Sequence, residues 1–350
     1  MNALSQLVAQ GFDRNRNGRV NDDLRIEAKG LDADANGQVS VAELASALAA
    51  DKVVISNGAV RAGQSARARE LPEIKSLTAI NRLASDALGF FGTGNPQYPG
   101  LQYQSTYEDK EGNLRTRYNF GQAIADLRVR LSAISSLASS YDDFQSQTVA
   151  RMANQSLAQN NMDYLLDNGT AQSRYAALYS TIQNIAQMSV APAHPSATEA
   201  RLEGSVVAAA GAVDKLRGAL AAPEVKSADA RASAHVKSLN QQIAAIPTWQ
   251  KFLLVGLFKK GSLEGQIRDV NAQLQVLKSA NPGLRQDELA ENAARMYELL
   301  QSGAQASSID AARQYENQAA PIINRSAAIS NSAGSDAASI RTLIGTLNKR

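Results

Sequence analysis

Two short stretches near the amino terminus share one spacing of oxygen-bearing side chains. DRNRNGRVNDDL, residues 13–24, and DADANGQVSVAE, residues 32–43, place Asp or Asn at alternate positions, then glycine, then an aliphatic residue two positions later. Alternate side chains can point toward one centre where the chain turns sharply, and glycine at the sixth position permits that turn. Because Ca²⁺ is a hard cation that takes several oxygen ligands, this spacing predicts calcium-binding loops.

The second loop has a suitable residue at every position of a twelve-residue calcium loop. Gly37 occupies the turn, Val39 can anchor the loop to a core, and Glu43 stands last, where a carboxylate closes the shell with both oxygens. An Asx-rich surface turn without metal is the alternative, but the complete ligand set favours calcium. The predicted ligands are Asp32, Asp34, Asn36, Gln38 through its carbonyl, Ser40 and Glu43.

The first loop departs from this pattern at its last position, which is Leu24 instead of glutamate. A shortened or water-relayed loop could recruit Asp23, without the bidentate closure. Two arginines, Arg14 and Arg16, repel a dication. We therefore leave the occupancy of this loop open and expect its affinity to be the lower of the two. Its candidate ligands are Asp13, Asn15, Asn17, Arg19 at position seven, and Asp23.

Over residues 1–50 only, the chain resembles the EF-hand calcium-binding superfamily. Asp13 and Asp32 are 19 positions apart, which leaves too little chain for two helices and a linker between the loops. The resemblance is therefore to compact bacterial hands more than to the calmodulin type. One helix over residues 22–31 is predicted to leave the first loop and enter the second, with a further helix on either side. The resemblance implies the loop ligands and nothing about the rest of the chain.

Periodicity in the rest of the chain predicts a mainly α protein. Aromatic residues are only 5% of the chain, which favours helices with small-residue contacts over a β core. Residues 52–60 and 101–118 alternate around glycine-containing turns and predict β-hairpins, and residues 71–91 predict a helix. The predicted order is an EF-hand pair over 1–50, a connector with a short helix and β-hairpins over 51–118, and an elongated antiparallel α-helical bundle over 119–350.

The predicted bundle begins with one long helix. Apolar residues from Ile124 to Met152 are separated by threes and fours, which predicts a single helix of about 40 residues. Proline and glycine turns divide the remainder into shorter helices. Pro321 is predicted to kink the last one, near residues 305–347.

Composition excludes several classes of chemistry. The chain has no cysteine, so disulfides, thiolate metal sites and cysteine nucleophiles are excluded. A formal charge of +3 is small for 350 residues and predicts no nucleic-acid partner. His194 and His235 have no second candidate ligand beside them in sequence, and no hydrolase or metalloprotease motif is present. No catalytic residue is therefore predicted.

The location of the protein is left open. No apolar run reaches the length of a transmembrane helix, and MNALSQLVAQGFD lacks the basic and long apolar parts of a secretory signal. A weak calcium site would nevertheless suit an extracytoplasmic location, where calcium is abundant.

These observations favour a non-enzymatic calcium-binding structural or protein-interaction protein, in which Ca²⁺ orders the amino-terminal module. A protein partner or self-association is expected. The alternative is a leaderless exported bacterial effector or translocator that engages a membrane through residues 248–261, an apolar stretch flanked by lysines. The same stretch could instead be a buried corner of the bundle, which is the more common role of so short a run. An enzyme with a helical catalytic domain has no motif to support it.

Overall fold

The chain is mainly helical with two small β-sheets, as the sequence predicts. The computed structural model describes residues 3–20, 24–28, 30–56, 59–64, 71–92, 96–160, 168–248 and 254–348. Its helices are α1 (Ala3–Phe12), α2 (Val41–Ala49), α3 (Pro72–Phe91), α4 (Phe120–Ser139), α5 (Phe144–Gln159), α6 (Asn168–Met188), α7 (Pro195–Ala221), α8 (Ala228–Ala244), α9 (Leu254–Ser279), α10 (Pro282–Gly303) and α11 (Ile309–Asn348). Its strands are β1 (Arg25–Ile26), β2 (Val53–Ser56), β3 (Ala59–Ala62), β4 (Gln104–Glu108) and β5 (Leu114–Tyr118).

The chain forms two compact units, and each is built from separate ranges of sequence. The first contains residues 1–68, 195–305 and 315–350, and the second contains residues 69–194 and 306–314. The predicted calcium module therefore belongs to the same unit as helices from the second half of the chain. The three predicted domain ranges and the elongated, antiparallel arrangement of the bundle stay predictions.

In the first unit, the helices beside the two loops pack on helices from far along the sequence. α1 packs on α2 and α10, and α10 packs on α7. Val8, Phe12 and Leu44 are buried in the core that results. A β-carbon on Gly11 would lie 1.9 Å from the carbonyl oxygen of Ala290, so a glycine is required where α1 meets α10.

The predicted helix over residues 22–31 is wrong for the residues that the structure describes. Arg25 and Ile26 form β1, which pairs in parallel with β3, and β3 also pairs in antiparallel with β2. Leu24 and Ala28 are buried and Ile26 is half-buried, whereas Arg25 and Glu27 between them are exposed. This alternation is typical of a strand with one buried face, and the β3 edge provides the hydrogen bonds that a helix would have made internally.

The second unit contains α3, α4, α5 and α6 and the second hairpin. Phe91 stacks on Tyr103 with ring centroids 5.7 Å apart, and Tyr175 meets both Phe91 and Phe120 edge-on. Both predicted hairpins are confirmed, as antiparallel pairs of β2 with β3 and of β4 with β5.

The predicted single helix of the bundle is wrong, because the chain forms α4 and α5 with a break between Ser139 and Phe144. The Asp143 carboxylate accepts the backbone N–H of Ser146 at 2.8 Å and caps the first turn of α5. Apolar spacing continues through the break, so periodicity alone does not reveal it. Phe144, which belonged to the predicted apolar stripe, is 78% exposed.

The carboxy-terminal helix α11 includes Pro321 in its interior. The kink there stays a prediction. Within the described parts of the chain, none of the helices combines the length and apolar character required to cross a bilayer.

Candidate metal centre

The two loops that the sequence singles out have the same backbone shape. The sixth residue of each, Gly18 and Gly37, has a φ of +81° and +82° respectively. The fourth residue of each, Arg16 and Ala35, also lies in the left-handed region, with φ of 59° and 56°. Few non-glycine residues adopt this conformation, so its occurrence at equivalent positions shows that the two loops turn in the same way.

The first aspartate of each loop organises that turn. It accepts the backbone N–H groups of the residues four and five positions later, at 3.1 and 2.8 Å for Asp13 and at 3.1 and 2.7 Å for Asp32. The third and fifth residues each accept a backbone N–H two positions later, in the manner of Asx turns. These residues are Asn15 and Asn17 in the first loop and Asp34 and Asn36 in the second.

The loops are joined to each other by backbone hydrogen bonds. The N–H of Val20 donates to the carbonyl of Val39 at 2.9 Å, and the N–H of Val41 donates to the carbonyl of Gly18 at 3.1 Å. Val20 and Val39 occupy the eighth position of their loops and are both buried. The two loops are therefore paired along this short stretch of backbone.

The second loop brings three carboxylates together. One oxygen each of Asp32, Asp34 and Glu43 lie within 4.8 Å of one another. In the described part of the chain, this is the single group of three acidic or histidine side chains close enough to share an ion. Oxygen donors at this separation suit Ca²⁺, which accepts irregular carboxylate shells.

Glu43 closes the second loop by contacting both of its ends. One carboxylate oxygen accepts the backbone N–H of Ala33 at 2.7 Å, and the other accepts the backbone N–H of Ser40 at 2.8 Å. Ser40 is also the N-cap of α2, and its hydroxyl and Glu43 form a capping box. The predicted closing residue thus points into the loop from the first turn of α2.

The hydrogen bonds around Glu43 favour its ionised form. The backbone N–H of Ser40 is the largest influence that lowers the pKa of Glu43 below its ordinary value of 4.5. The hydroxyl of Ser40 and the N–H of Ala33 act in the same direction, while partial burial opposes them. The side chain is therefore a carboxylate at neutral pH, as coordination of a cation requires.

The other predicted ligands of the second loop lie beside this cluster. The amide nitrogen of Asn36 donates to Asp34 at 2.7 Å. Ser40 lies opposite Arg19 of the first loop in an isolated antiparallel bridge. Gln38 follows the glycine turn and is half-buried.

The first loop ends in the hydrophobic core instead of at a carboxylate. Leu24 is 5% exposed, and its N–H donates to the carbonyl of Val20 at 3.0 Å. Asp13 is buried, whereas Asn15 and Asn17 are exposed. Asp23, the candidate that could replace the missing glutamate, lies outside the described residues.

Two residues near the first loop have roles that sequence reasoning missed. Arg16, interpreted as a residue that repels a dication, forms a 3.0 Å ion pair with Asp287 of α10. Gly11 is required for the contact of α1 with α10. Neither role could be predicted from the neighbouring sequence, because the partners, Asp287 and Ala290, both belong to α10.

Comparison of the chain with protein-family models, with curated proteins and with solved structures finds no match.

Proposed function

We propose that residues 1–50 form a pair of EF-hand-like loops in which the second loop binds Ca²⁺, and that the chain is a non-enzymatic calcium-binding protein. Its role is structural or is the binding of a protein partner, which includes a second copy of the chain. The observation that carries this proposal is the convergence of Asp32, Asp34 and Glu43 within 4.8 Å on a glycine-turned loop.

The electrostatics of the loop support a bound cation. Carboxylates at this separation repel one another, and the backbone N–H groups donated to Asp32 and Glu43 counteract that repulsion. A divalent ion replaces the repulsion with coordination, so binding and ordering of the loop are coupled. Mg²⁺ demands a smaller and more regular shell and should bind less tightly. We expect a calcium dissociation constant between about 10⁻⁶ and 10⁻³ M.

The first loop connects the calcium site to the rest of its unit. Because Val20 and Val39 are hydrogen-bonded, ordering of the second loop restrains the first. The first loop is in turn tied to α10 by the ion pair of Arg16 with Asp287. In this proposal Ca²⁺ orders the module and stabilises its docking on α10, and the surface so ordered is available to a protein partner.

Isothermal titration calorimetry with CaCl₂ tests the proposal. Glu43→Gln removes one charge and the bidentate closure, and should raise the dissociation constant by at least about tenfold. Glu264→Gln is the matched control, because it removes the same charge from an exposed position on α9 and should leave the affinity unchanged. Absence of binding by the unaltered protein at millimolar calcium would overturn the proposal, and an unchanged affinity in Glu43→Gln would overturn the role of that residue.

A second candidate function has one observation in its favour. At the start of α9, Leu257 is 52% exposed and Phe258 is 74% exposed, and they are followed by the exposed Lys259 and Lys260. Apolar side chains beside lysines are typical of contact with anionic lipid, as in an exported effector or translocator that engages a membrane. Trp249, Lys251 and Phe252 of the predicted 248–261 segment lie outside the described residues.

Flotation with anionic liposomes distinguishes this second candidate from the first. A membrane-binding segment requires flotation of the unaltered protein and its loss in Phe258→Asp. If the unaltered protein stays in the dense fraction, the membrane role is excluded, and the calcium proposal is unaffected.

A further inference from the structure

Each of the two loops has an asparagine at its fifth position, directly before the glycine of the turn. These pairs are Asn17–Gly18 and Asn36–Gly37, and both asparagines are exposed. An asparagine before glycine is prone to spontaneous deamidation, because glycine has no β-carbon to shield its backbone nitrogen or to restrict its rotation. Two further Asn–Gly pairs, at 57–58 and 168–169, belong to other parts of the sequence.

Deamidation of Asn36 is an intramolecular reaction whose only co-reactant is water. The backbone nitrogen of Gly37 attacks the side-chain Cγ of Asn36, the Cγ–Nδ2 bond breaks, and ammonia leaves with the proton of the Gly37 N–H. Water then opens the cyclic succinimide. Attack of water at Cγ gives aspartate, and attack at the main-chain carbonyl carbon gives isoaspartate, whose backbone runs through Cγ. The first step requires the nitrogen and Cγ to approach each other in the correct orientation.

In the folded loop the reacting groups are held by other hydrogen bonds. The Gly37 N–H donates to the carboxylate of Asp32 at 2.7 Å. The carboxamide of Asn36 is held by both of its polar atoms, because its oxygen accepts the N–H of Gln38 at 2.9 Å and its nitrogen donates to Asp34 at 2.7 Å. The reaction is therefore slow while the loop is closed, and its rate depends on how often the loop opens.

The equivalent hydrogen bond of the first loop is better protected from water. The Gly18 N–H donates to Asp13 at 2.8 Å, and Asp13 is 9% exposed, whereas Asp32 is half-buried. Hydrogen bonds that water can reach open more often than buried ones. In the second loop, repulsion among the carboxylates of Asp32, Asp34 and Glu43 also favours opening. Of the two loops, the second is therefore expected to open more often.

We propose that Asn36 is a site of spontaneous deamidation, and that the hydrogen bond from Gly37 to Asp32 controls its rate. While this hydrogen bond is formed, the attacking nitrogen is engaged with a carboxylate. When the loop opens, the nitrogen is free to reach Cγ of Asn36. The modification needs no enzyme, and it changes a residue that lies inside the carboxylate cluster.

The two products have opposite effects on the candidate metal centre, and this part of the inference rests on the proposed function. Aspartate suits the fifth position of a calcium loop as well as asparagine does, and it adds a negative charge to the cluster. Isoaspartate inserts a methylene into the backbone before Gly37 and disturbs the spacing of the ligands. Deamidation of Asn36 would thus raise the calcium affinity of one product and lower that of the other.

Peptide mass spectrometry that resolves each Asn–Gly pair tests the site. The full chain is incubated in EGTA at mildly alkaline pH, with and without urea. In urea, Asn17 and Asn36 should deamidate at similar rates. In the folded protein, Asn36 should react at least about tenfold more slowly than in urea, and Asn17 more slowly still. No reaction at Asn36 in the folded protein, or a rate equal to that in urea, would overturn the proposal.

Variants of Asp32 test the control of the rate. Asp32→Ala removes the acceptor of the Gly37 N–H and should raise the rate at Asn36 in EGTA at least about fivefold. Asp32→Asn keeps an acceptor oxygen without the charge and should give an intermediate rate. Glu264→Gln on α9 is the control and should leave the rate unchanged. Circular dichroism shows whether each variant is folded. If folded Asp32→Ala and Asp32→Asn proteins deamidate no faster than the unaltered protein, this hydrogen bond does not control the reaction and the proposal is wrong.

Calcium separates this inference from the proposed function. If both are correct, CaCl₂ stabilises the closed loop and should slow deamidation of Asn36 several-fold relative to EGTA. Asn36→Asp, which reproduces the aspartate product, should bind calcium several-fold more tightly. Deamidation as predicted in EGTA without calcium binding by calorimetry would refute the proposed function and leave the Asn36 site intact. Calcium binding without deamidation of Asn36 would have the opposite meaning.

Discussion

The two loops of the amino-terminal module have the same backbone conformation, but they differ in the residue at their twelfth position. Asp13 and Asp32 each gather the same pair of backbone N–H groups, and the glycine after them has the same positive φ. At the twelfth position, however, the first loop has a buried leucine and the second has a carboxylate that points into the loop. Asx side chains and glycine are thus sufficient to shape such a loop, while the twelfth residue determines whether it can close around a cation.

The two loops also differ in what they contact. The first is joined to the core through Leu24 and to α10 through Arg16, so its contacts are those of an anchor. The second gathers carboxylates at the surface, and its backbone is held by the first at Val39. A loop without a closing carboxylate can therefore still serve as the structural partner of a loop that has one.

The largest expected effect tests the first loop as an anchor. Leu24→Ala removes a buried side chain and should lower the free energy of unfolding by about 3 kcal/mol. Urea denaturation followed by circular dichroism in EGTA measures it. Leu101→Ala, at a leucine that is 82% exposed, is the control and should change stability by less than about 0.5 kcal/mol. If the free energy of unfolding falls no more in Leu24→Ala than in Leu101→Ala, Leu24 does not anchor the loop.

The next effect tests the contact of α1 with α10. Gly11→Ala places a methyl group 1.9 Å from the carbonyl oxygen of Ala290, and the forced separation should cost about 2 kcal/mol in the same assay. Gly204→Ala on α7 is the matched control, because its β-carbon would meet nothing within 4 Å. Alanine is favoured over glycine inside a helix, so the control should gain up to about 1 kcal/mol. Equal changes in the two variants would contradict the close approach of the helices.

A third prediction compares the same substitution in both loops. Asp32→Asn should weaken calcium binding about tenfold, or about 1.4 kcal/mol, because it removes a ligand charge from the carboxylate cluster. Asp13→Asn should change the affinity of the higher-affinity site by less than about twofold, since the first loop lacks a closing carboxylate. Calorimetry of the two variants side by side gives the answer. Equal losses, together with two calcium ions bound per chain in the unaltered protein, would mean that both loops hold calcium, and the proposed division between them would then be wrong.

The smallest effect concerns pH in the absence of calcium. The lowered pKa of Glu43 means that its ionised form is favoured in the folded protein, so it contributes stability above pH 4.5 that is lost as the pH falls through the lowered value. At neutral pH in EGTA, Glu43→Gln should be less stable by about 0.5 kcal/mol, a small figure because solvent screens a half-exposed side chain. The difference should disappear in melting curves recorded well below pH 4. A difference that persists there would assign the stabilisation to a cause other than the charge.

Much of the fold could be predicted from local patterns. The helix over residues 71–91 and the hairpins at 52–60 and 101–118 depend on turn residues and on the alternation or helical spacing of their neighbours. Such signals operate within a few residues of one another, so they can be read without knowledge of the tertiary partner.

Where prediction failed, a second and distant segment was involved or two local signals competed. The alternation of Leu24, Ile26 and Ala28 was present in the sequence, but β1 forms because β3 provides an edge for it. The break before α5 depends on capping by Asp143, which competes with an uninterrupted apolar spacing. Periodicity alone does not decide either case.

The sequence by itself determined the candidate metal ligands, since Asp32, Asp34 and Glu43 belong to one short loop whose Asx turns and glycine form locally. Only the tertiary structure decided that the first loop is tied to α10. The physical reason is the sequence separation of the residues that interact. Hydrogen bonds inside a loop join residues a few positions apart, whereas packing and ion pairs join whichever surfaces the complete chain brings together.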